Sequence, residues 1–293
     1  MTDARDLTSA LGGRWYGRYG AAPCPVCQPE GSKGQNALTL TDGRAGLLAH
    51  CKKSHCAFAD ILAAAGVMPG DYSLPDPATV AQREADRRAG AEKRARQAER
   101  CWLEAQPIMG TLAETYLRGR AIACPLPETL RFHPECWHGP TASRHPALVA
   151  LVEGGEGFAV HRTYLRPDGT GKAAVSPDKA MLGRCAGGAV RFTEAPGPLA
   201  VAEGIETALS LACGLLGRPA AIWATLSTSG MRALRLPPEP GRLTIASDGD
   251  TAGRDAAHAL AERAHLAGWA VSLLPAPEGR DWNDIINKKG EAA

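Results

Sequence analysis

From Pro198 onward, short apolar runs alternate with stretches whose apolar residues recur every three or four positions. PLAVAEG, AAIWATLST, RLTIAS and AVSLLPAP read as strands. IETALSLACGLL, SGMRALRL and TAGRDAAHALAERAHLAG read as the helices between them. Strand-helix alternation of this kind predicts a parallel sheet with helices packed on its faces. Upstream the pattern changes. HPALVALVEG and GFAVHRTYLRPDGTGKA predict a hairpin or meander, with Asp168-Gly169 as a turn. Ala78 to about Ala105 is rich in alanine, arginine and glutamate and poor in apolar positions, which predicts a solvated helix or helical linker. GDYSLPDP breaks structure before it. Nearer the start, ALTLT and GLLAHC predict two short strands joined through Asp42-Gly43, and DILAAAGV a short closing helix. GGRWYGRYG reads as a helix against this module, and its Trp15, Tyr16 and Tyr19, interleaved with Arg14 and Arg18, could also stack on nucleic-acid bases. The expected division is an N-terminal module over 1–70, a charged linker over 71–105, an α+β middle region over 106–196 and an α/β domain over 197–293.

Composition adds limits. A chain of 293 residues, 44% hydrophobic and 22% charged, has the make-up of a soluble globular protein of two or three domains. Net charge is +2, so attraction to nucleic-acid phosphate must come from local patches. MTDARDLTSA holds no apolar targeting stretch, and no run of about 18 apolar residues occurs; the expectation is a cytoplasmic protein without a membrane partner. Nine cysteines, an odd number, argue against a disulfide framework. Four cluster in the first 56 residues, and Cys101, Cys124, Cys136, Cys185 and Cys213 are scattered.

The clustered four form two knuckles. Cys24 and Cys27 in CPVC are followed, after a strand pair, by Cys51 and Cys56 in CKKSHC. Each knuckle can offer two thiolates to one tetrahedral Zn²⁺, and four thiolates leave no open position for catalysis, so the zinc expected here is structural. His50 and His55 adjoin the second knuckle and suit solvent or phosphate better than the metal. Cys124, His133, Cys136 and His138 match no common metal spacing and read as ordinary core and surface residues.

Carboxylates carry the other signal. Asp248 and Asp250 follow the RLTIAS strand, and Glu203 follows PLAVA, 45 residues earlier. Ligands of an open parallel sheet bind at the carboxyl ends of its strands. Neighbouring strands would bring these three acids into one crevice, an oxygen-rich site suited to Mg²⁺ or Mn²⁺. An EF-hand beginning at Asp248 fails at Ala252 and Ala259, and GTGKA lacks the flanking residues of a phosphate-binding loop.

EGIETALS, SDGDTAG and DWNDII, each in its strand-helix context, resemble the Toprim domain shared by topoisomerases, primases and some nucleases. With the cysteine module in front, the order is similar to that of DNA primases, closest to those of phages and other mobile elements, in which segments like HRTYL, GKAAVSPDKAMLG and EGIETAL recur in this order. The fold implied is a zinc-ribbon-like module, a primase-type α+β subdomain and a Toprim parallel-sheet domain. The activity implied is nucleotidyl transfer: template-directed synthesis of short primers on single-stranded DNA from nucleoside triphosphates. Glu203, Asp248 and Asp250 would be catalytic acids and metal ligands, with Asp281 and Asp284 as further acids. Arg162, Lys172 and Lys179 would hold triphosphate or template. Cys27 stands where chromosomal bacterial primases carry histidine, as in phage primases. No helicase motor follows the Toprim segment, so a replicative helicase is expected as a separately encoded partner. The alternatives are a Toprim-type metal-dependent nuclease and a non-catalytic DNA-binding replication adaptor.

Overall fold

A computed structural model describes residues 3–32, 34–43, 46–68, 76–193, 197–217 and 219–291. Contacts divide the chain into two compact units, Met1–Gly90 and Ala91–Ala293. Among the described residues no helix is long and apolar enough to cross a membrane.

The first unit opens with α1 (Ala4–Ala10), capped by Asp3, whose carboxylate accepts from the Arg5 and Asp6 N–H groups at 2.8 and 2.9 Å. An antiparallel sheet follows, in the order β1 (Arg14–Trp15), β2 (Gly20–Ala22), β3 (Leu38–Asp42) and β4 (Leu47–Cys51). Leu38 and Leu40 alternate inward on β3 and meet Leu7 and Ile61, the latter on α2 (Phe58–Ala64). The two expected strands are therefore β3 and β4; of the chain between them, residues 44 and 45 lie outside the described residues. Most of GDYSLPDP (residues 70–77) also lies outside them. The expected helix over GGRWYGRYG is instead the β1–β2 hairpin. Four glycines in nine residues oppose a helix, and Gly17 at φ 85° makes the turn. Its tip carries Tyr16 and Tyr19, exposed and stacked at 5.4 Å between ring centres.

The linker helix is α3 (Pro77–Glu104), but its C-terminal turns are not solvated. Ala98, Cys101 and Trp102 are buried, and the Arg131 guanidinium lies 4.2 Å over the Trp102 ring. These residues cover one face of an antiparallel meander: β5 (Gln106–Pro107), β6 (Leu130–His138), β7 (Ser143–Val152), β8 (Ala159–Tyr164) and β9 (Lys179–Gly183). The other face, with Leu130, Phe132 and Leu148, packs with Tyr116 and Leu117 of α4 (Leu112–Gly119).

The C-terminal sheet has the order β10 (Val190–Thr193), β12 (Ala221–Ala224), β11 (Leu199–Ala202), β13 (Arg242–Ala246) and β14 (Ala270–Leu273). Four strands are parallel. β10, contributed from upstream of the strand-helix array, is an antiparallel edge strand, a common addition to such sheets. β11 is central and wholly buried. Its Ala200 and Ala202 share a core with α5 (Ile205–Ser210), while Leu199 and Val201 share one with α7 (Thr251–Leu266) and with Met231 of α6 (Thr228–Ala233). Residues of both sheets meet in a single core, so the meander and the parallel sheet form one body. α8 (Trp282–Glu291) closes the chain on α5, where buried Asn283 donates to Ser210 Oγ at 3.0 Å. Cys124, after α4, is bonded to Cys213 in the π-helical turn that continues α5. The odd cysteine count disfavours a framework but does not bear on one pair brought together by packing.

Candidate functional site

In the first unit, β4 ends at Cys51 and a tight turn leads to Cys56, while Cys24 and Cys27 lie on the loop after β2. The four sulfurs all lie within 4.8 Å of one another, with Cys27 Sγ 3.6 Å from Cys51 Sγ. Sulfurs ligating one zinc at about 2.3 Å in a tetrahedron stand about 3.8 Å apart, so the group fits that ion. Electrostatics fit as well. Burial pushes the Cys51 thiol up, but the N–H groups of Ser54, Cys56 and Lys53 outweigh it and bring it to about 6. Burial and the neighbouring thiols push Cys56 up to about 12. Four thiols in contact cannot all ionise unless a cation stands among them. His50 and His55 are exposed and outside the group.

In the second unit, β11 and β13 are parallel neighbours in the register Ala202–Ala246, which places Glu203 and Asp248 at adjacent carboxyl ends. Burial and the charges of Glu203, Asp281 and Asp250 push the Asp248 carboxyl up to about 7, against a downward pull from Lys179. Burial and Asp250 push Glu203 up, opposed by the Thr228 N–H and Lys179. Asp248 Oδ1 is buried without a hydrogen-bond partner. Asp250 caps α7 through the Gly253 N–H at 2.6 Å and is exposed. The carboxylates stand farther apart than the cysteines: among the described residues no group of three acids has ligand atoms all within 4.8 Å. A buried, orphaned carboxylate oxygen among like charges is the environment that a hard divalent cation relieves.

Gly249 holds the turn between the two aspartates against the 276–280 loop; its N–H donates to the Arg280 carbonyl at 2.8 Å. A Cβ there would meet the Pro277 carbonyl oxygen at 1.9 Å, a backbone atom with no freedom to yield. Gly249→Ala is expected to lower stability by about 2 kcal/mol, or roughly 4–8 °C in Tm, read by calorimetry.

Asp281 and Asp284 cap α8 reciprocally: the Asp284 N–H donates to Asp281 Oδ1 at 2.8 Å and the Asp281 N–H to Asp284 Oδ2 at 3.2 Å. Asp281 is also among the charges felt by Asp248. Of the three cationic candidates, Lys179 is the one whose charge pulls Glu203 and Asp248 down, and its Nζ lies 3.1 Å from Glu206 Oε2. Lys172 pairs with Asp178 at 3.3 Å. Arg162 stands on the opposite face of the meander, donating to the Trp137 carbonyl at 3.2 Å with its guanidinium 5.7 Å from the Tyr164 ring centre. Sequence reasoning passed over Glu206 and Tyr116, whose hydroxyl donates to Glu206 Oε1 at 2.7 Å. Nothing in the sequence marked Glu206: its burial, with that of every other residue of α5, follows from packing against distant elements. It also passed over His161, whose imidazole burial holds at about 4.

A parallel sheet with acids beyond adjacent strand ends defines an α/β domain whose crevice lies at the carboxyl ends of its strands. Residues 198–292 match the family model of the Toprim domain, so the chain carries a Toprim domain, a class that binds divalent metals. Residues 92–192 match a domain of unknown function (DUF7146). No curated protein matches the chain. Among solved structures, it is similar to a DNA primase domain from Pseudomonas aeruginosa at 19% identity and a TM-score of 0.31, over 53% of this chain and 52% of that one. The chain thus spans about half of that domain's length. It is similar to the RNA polymerase domain of the Mycobacterium tuberculosis primase DnaG at 18% identity and a TM-score of 0.41, over 69% of this chain and 80% of that one. Against the zinc-binding and RNA polymerase domains of the Aquifex aeolicus primase, identity is 13% and the TM-score 0.43, over 100% of this chain and 84% of that one.

Proposed function

We propose that this chain is a DNA primase that makes short primers on single-stranded DNA from nucleoside triphosphates. The observation that carries the reading is Asp248: a half-buried carboxylate with one buried, unpartnered oxygen, in a Toprim domain and within the electrostatic reach of Glu203, Asp250 and the Lys179 ammonium. Glu203, Asp248 and Asp250 would hold Mg²⁺ or Mn²⁺, with Asp281 as the outlying acid and Asp284 completing its cap. Bound there, the cation neutralises the acids and polarises phosphate oxygens. Lys179 and Lys172 bind the triphosphate by charge-assisted contact, and Arg162, on the other face, meets template backbone. Cys24, Cys27, Cys51 and Cys56 would hold a structural Zn²⁺, and the Tyr16–Tyr19 stack beside it offers a platform for bases. The segments 1–70, 71–105, 106–196 and 197–293 serve as zinc module, linker, primase core and Toprim domain. A separately encoded helicase as partner, a cytoplasmic location and the phage or mobile-element type belong to the same reading.

The test incubates the protein with mixed-sequence single-stranded DNA, labelled nucleotides and Mg²⁺ or Mn²⁺, and resolves the products on a denaturing gel. Short labelled oligomers from the wild type, absent with Asp248→Ala/Asp250→Ala, are the expected result. A shortened template would point to the nuclease instead. DNA binding without any product would leave the adaptor.

A further inference from the structure

Glu206 is 5% exposed, and both its oxygens have fixed partners: the Tyr116 hydroxyl at 2.7 Å and Lys179 Nζ at 3.1 Å. Burial alone would push its carboxyl up, yet the Lys179 ammonium and the Tyr116 hydroxyl hold it well below the usual carboxylate range. A buried ion pair is seldom worth more to stability than well-packed apolar residues of the same volume. This pair therefore calls for a second duty. The Lys179 side chain is 33% exposed, so its ammonium is not sealed against Glu206. Its charge also pulls down both Glu203 and Asp248. Glu203 precedes the α5 N-cap Gly204 and Glu206 stands three residues on in its first turn, so the carboxylate that Lys179 contacts is a near neighbour in the chain of an acid that its charge also reaches.

We propose that Glu206, fixed by Tyr116, is a positioning residue: it holds the Lys179 ammonium at the edge of the acidic crevice, available to a substrate phosphate, and keeps it from closing onto Glu203 and Asp248 as an internal counter-ion. This rests on the reading of Glu203, Asp248 and Asp250 as a divalent-cation centre. Without the Glu206 charge, the lysine turns to the crevice acids and competes with the cation. Without the lysine, Glu206 has no route to the crevice.

The experiment is a Mn²⁺ titration of the full-length, zinc-loaded protein without nucleotide or DNA, read by the paramagnetic signal of free Mn²⁺. Glu206→Gln, which keeps shape and the Tyr116 contact, is expected to weaken Mn²⁺ binding about tenfold, or about 1.4 kcal/mol. Lys179→Ala is expected to tighten it about threefold, and Lys179→Ala/Glu206→Gln to match Lys179→Ala within twofold, because the effect runs through the lysine. Should Glu206→Gln fail to fold, Tyr116→Phe takes its place, with an expected two- to threefold weakening. A Glu206→Gln effect that persists undiminished in the Lys179→Ala background, or no effect at all, overturns the positioning role while leaving the cation centre standing. Mn²⁺ binding that survives unchanged in Asp248→Ala/Asp250→Ala overturns the cation centre and this inference together.

Discussion

Stripping the metal from Cys24, Cys27, Cys51 and Cys56 with a high-affinity chelator is expected to unfold the N-terminal module and leave the second unit folded. The module's core is small: apart from its cysteines, Leu7, Leu38, Leu40, Leu47 and Ile61 are its buried large side chains. A core of that size supplies only about 3–5 kcal/mol, whereas ligation of structural zinc supplies about 10–16 kcal/mol. Without the cation, Cys51 is drawn towards the thiolate while the other sulfurs crowd it, so the knuckles lose their reason to meet. Limited proteolysis after chelation should cut residues 3–68 rapidly and spare residues 98–287, whose apolar residues pack in cores of their own. Cys27→Ser should behave in the same way without chelator. A module that resists protease with the metal removed would show that apolar packing alone holds it.

The C-terminal half was legible because its information is local. Each strand carries its own apolar run and each helix its own period, and α7 announces its start with Asp250 and its end with Gly268 at φ 89°. What was not legible depends on distant partners. β10 has no period marking it as an edge strand; it joins the sheet by pairing with β12, some thirty residues later. The buried end of α3 follows from Trp102 finding Arg131 across the meander. Glu206 looks like an ordinary helix acid until α4 brings Tyr116 and β9 brings Lys179 to it. The three acids beyond β11 and β13 could be paired from sequence only on the condition that those strands are neighbours, which the register Ala202–Ala246 satisfies.

Asp248→Asn is expected to raise stability and abolish primer synthesis together. The side chain keeps its size, so packing around the β13 end is unchanged, but a half-buried charge repelled by Glu203, Asp281 and Asp250 is removed. In zinc-loaded protein without added Mg²⁺ or Mn²⁺, Tm should rise by the equivalent of about 1–2 kcal/mol, as expected where stability has been given up for function. On the proposed reading, added Mg²⁺ or Mn²⁺ should raise the Tm of the wild type by binding only the folded state, and should no longer raise that of the variant. If Asp248 is a cation ligand as proposed, primer synthesis should fall about 10³-fold or more, or about 4 kcal/mol in the barrier, because the charge it helps to hold is needed most where negative charge develops in the transition state. Asp250→Asn separates the contributions: asparagine still accepts the Gly253 N–H and caps α7, so Tm should stay within about 0.5 kcal/mol of wild type while activity falls. A destabilised Asp248→Asn would mean that the carboxylate is a structural partner, and primer synthesis that survives it would remove this acid from the chemistry. Higher Tm with lost synthesis and lost cation response is the combination that a purely structural aspartate does not produce.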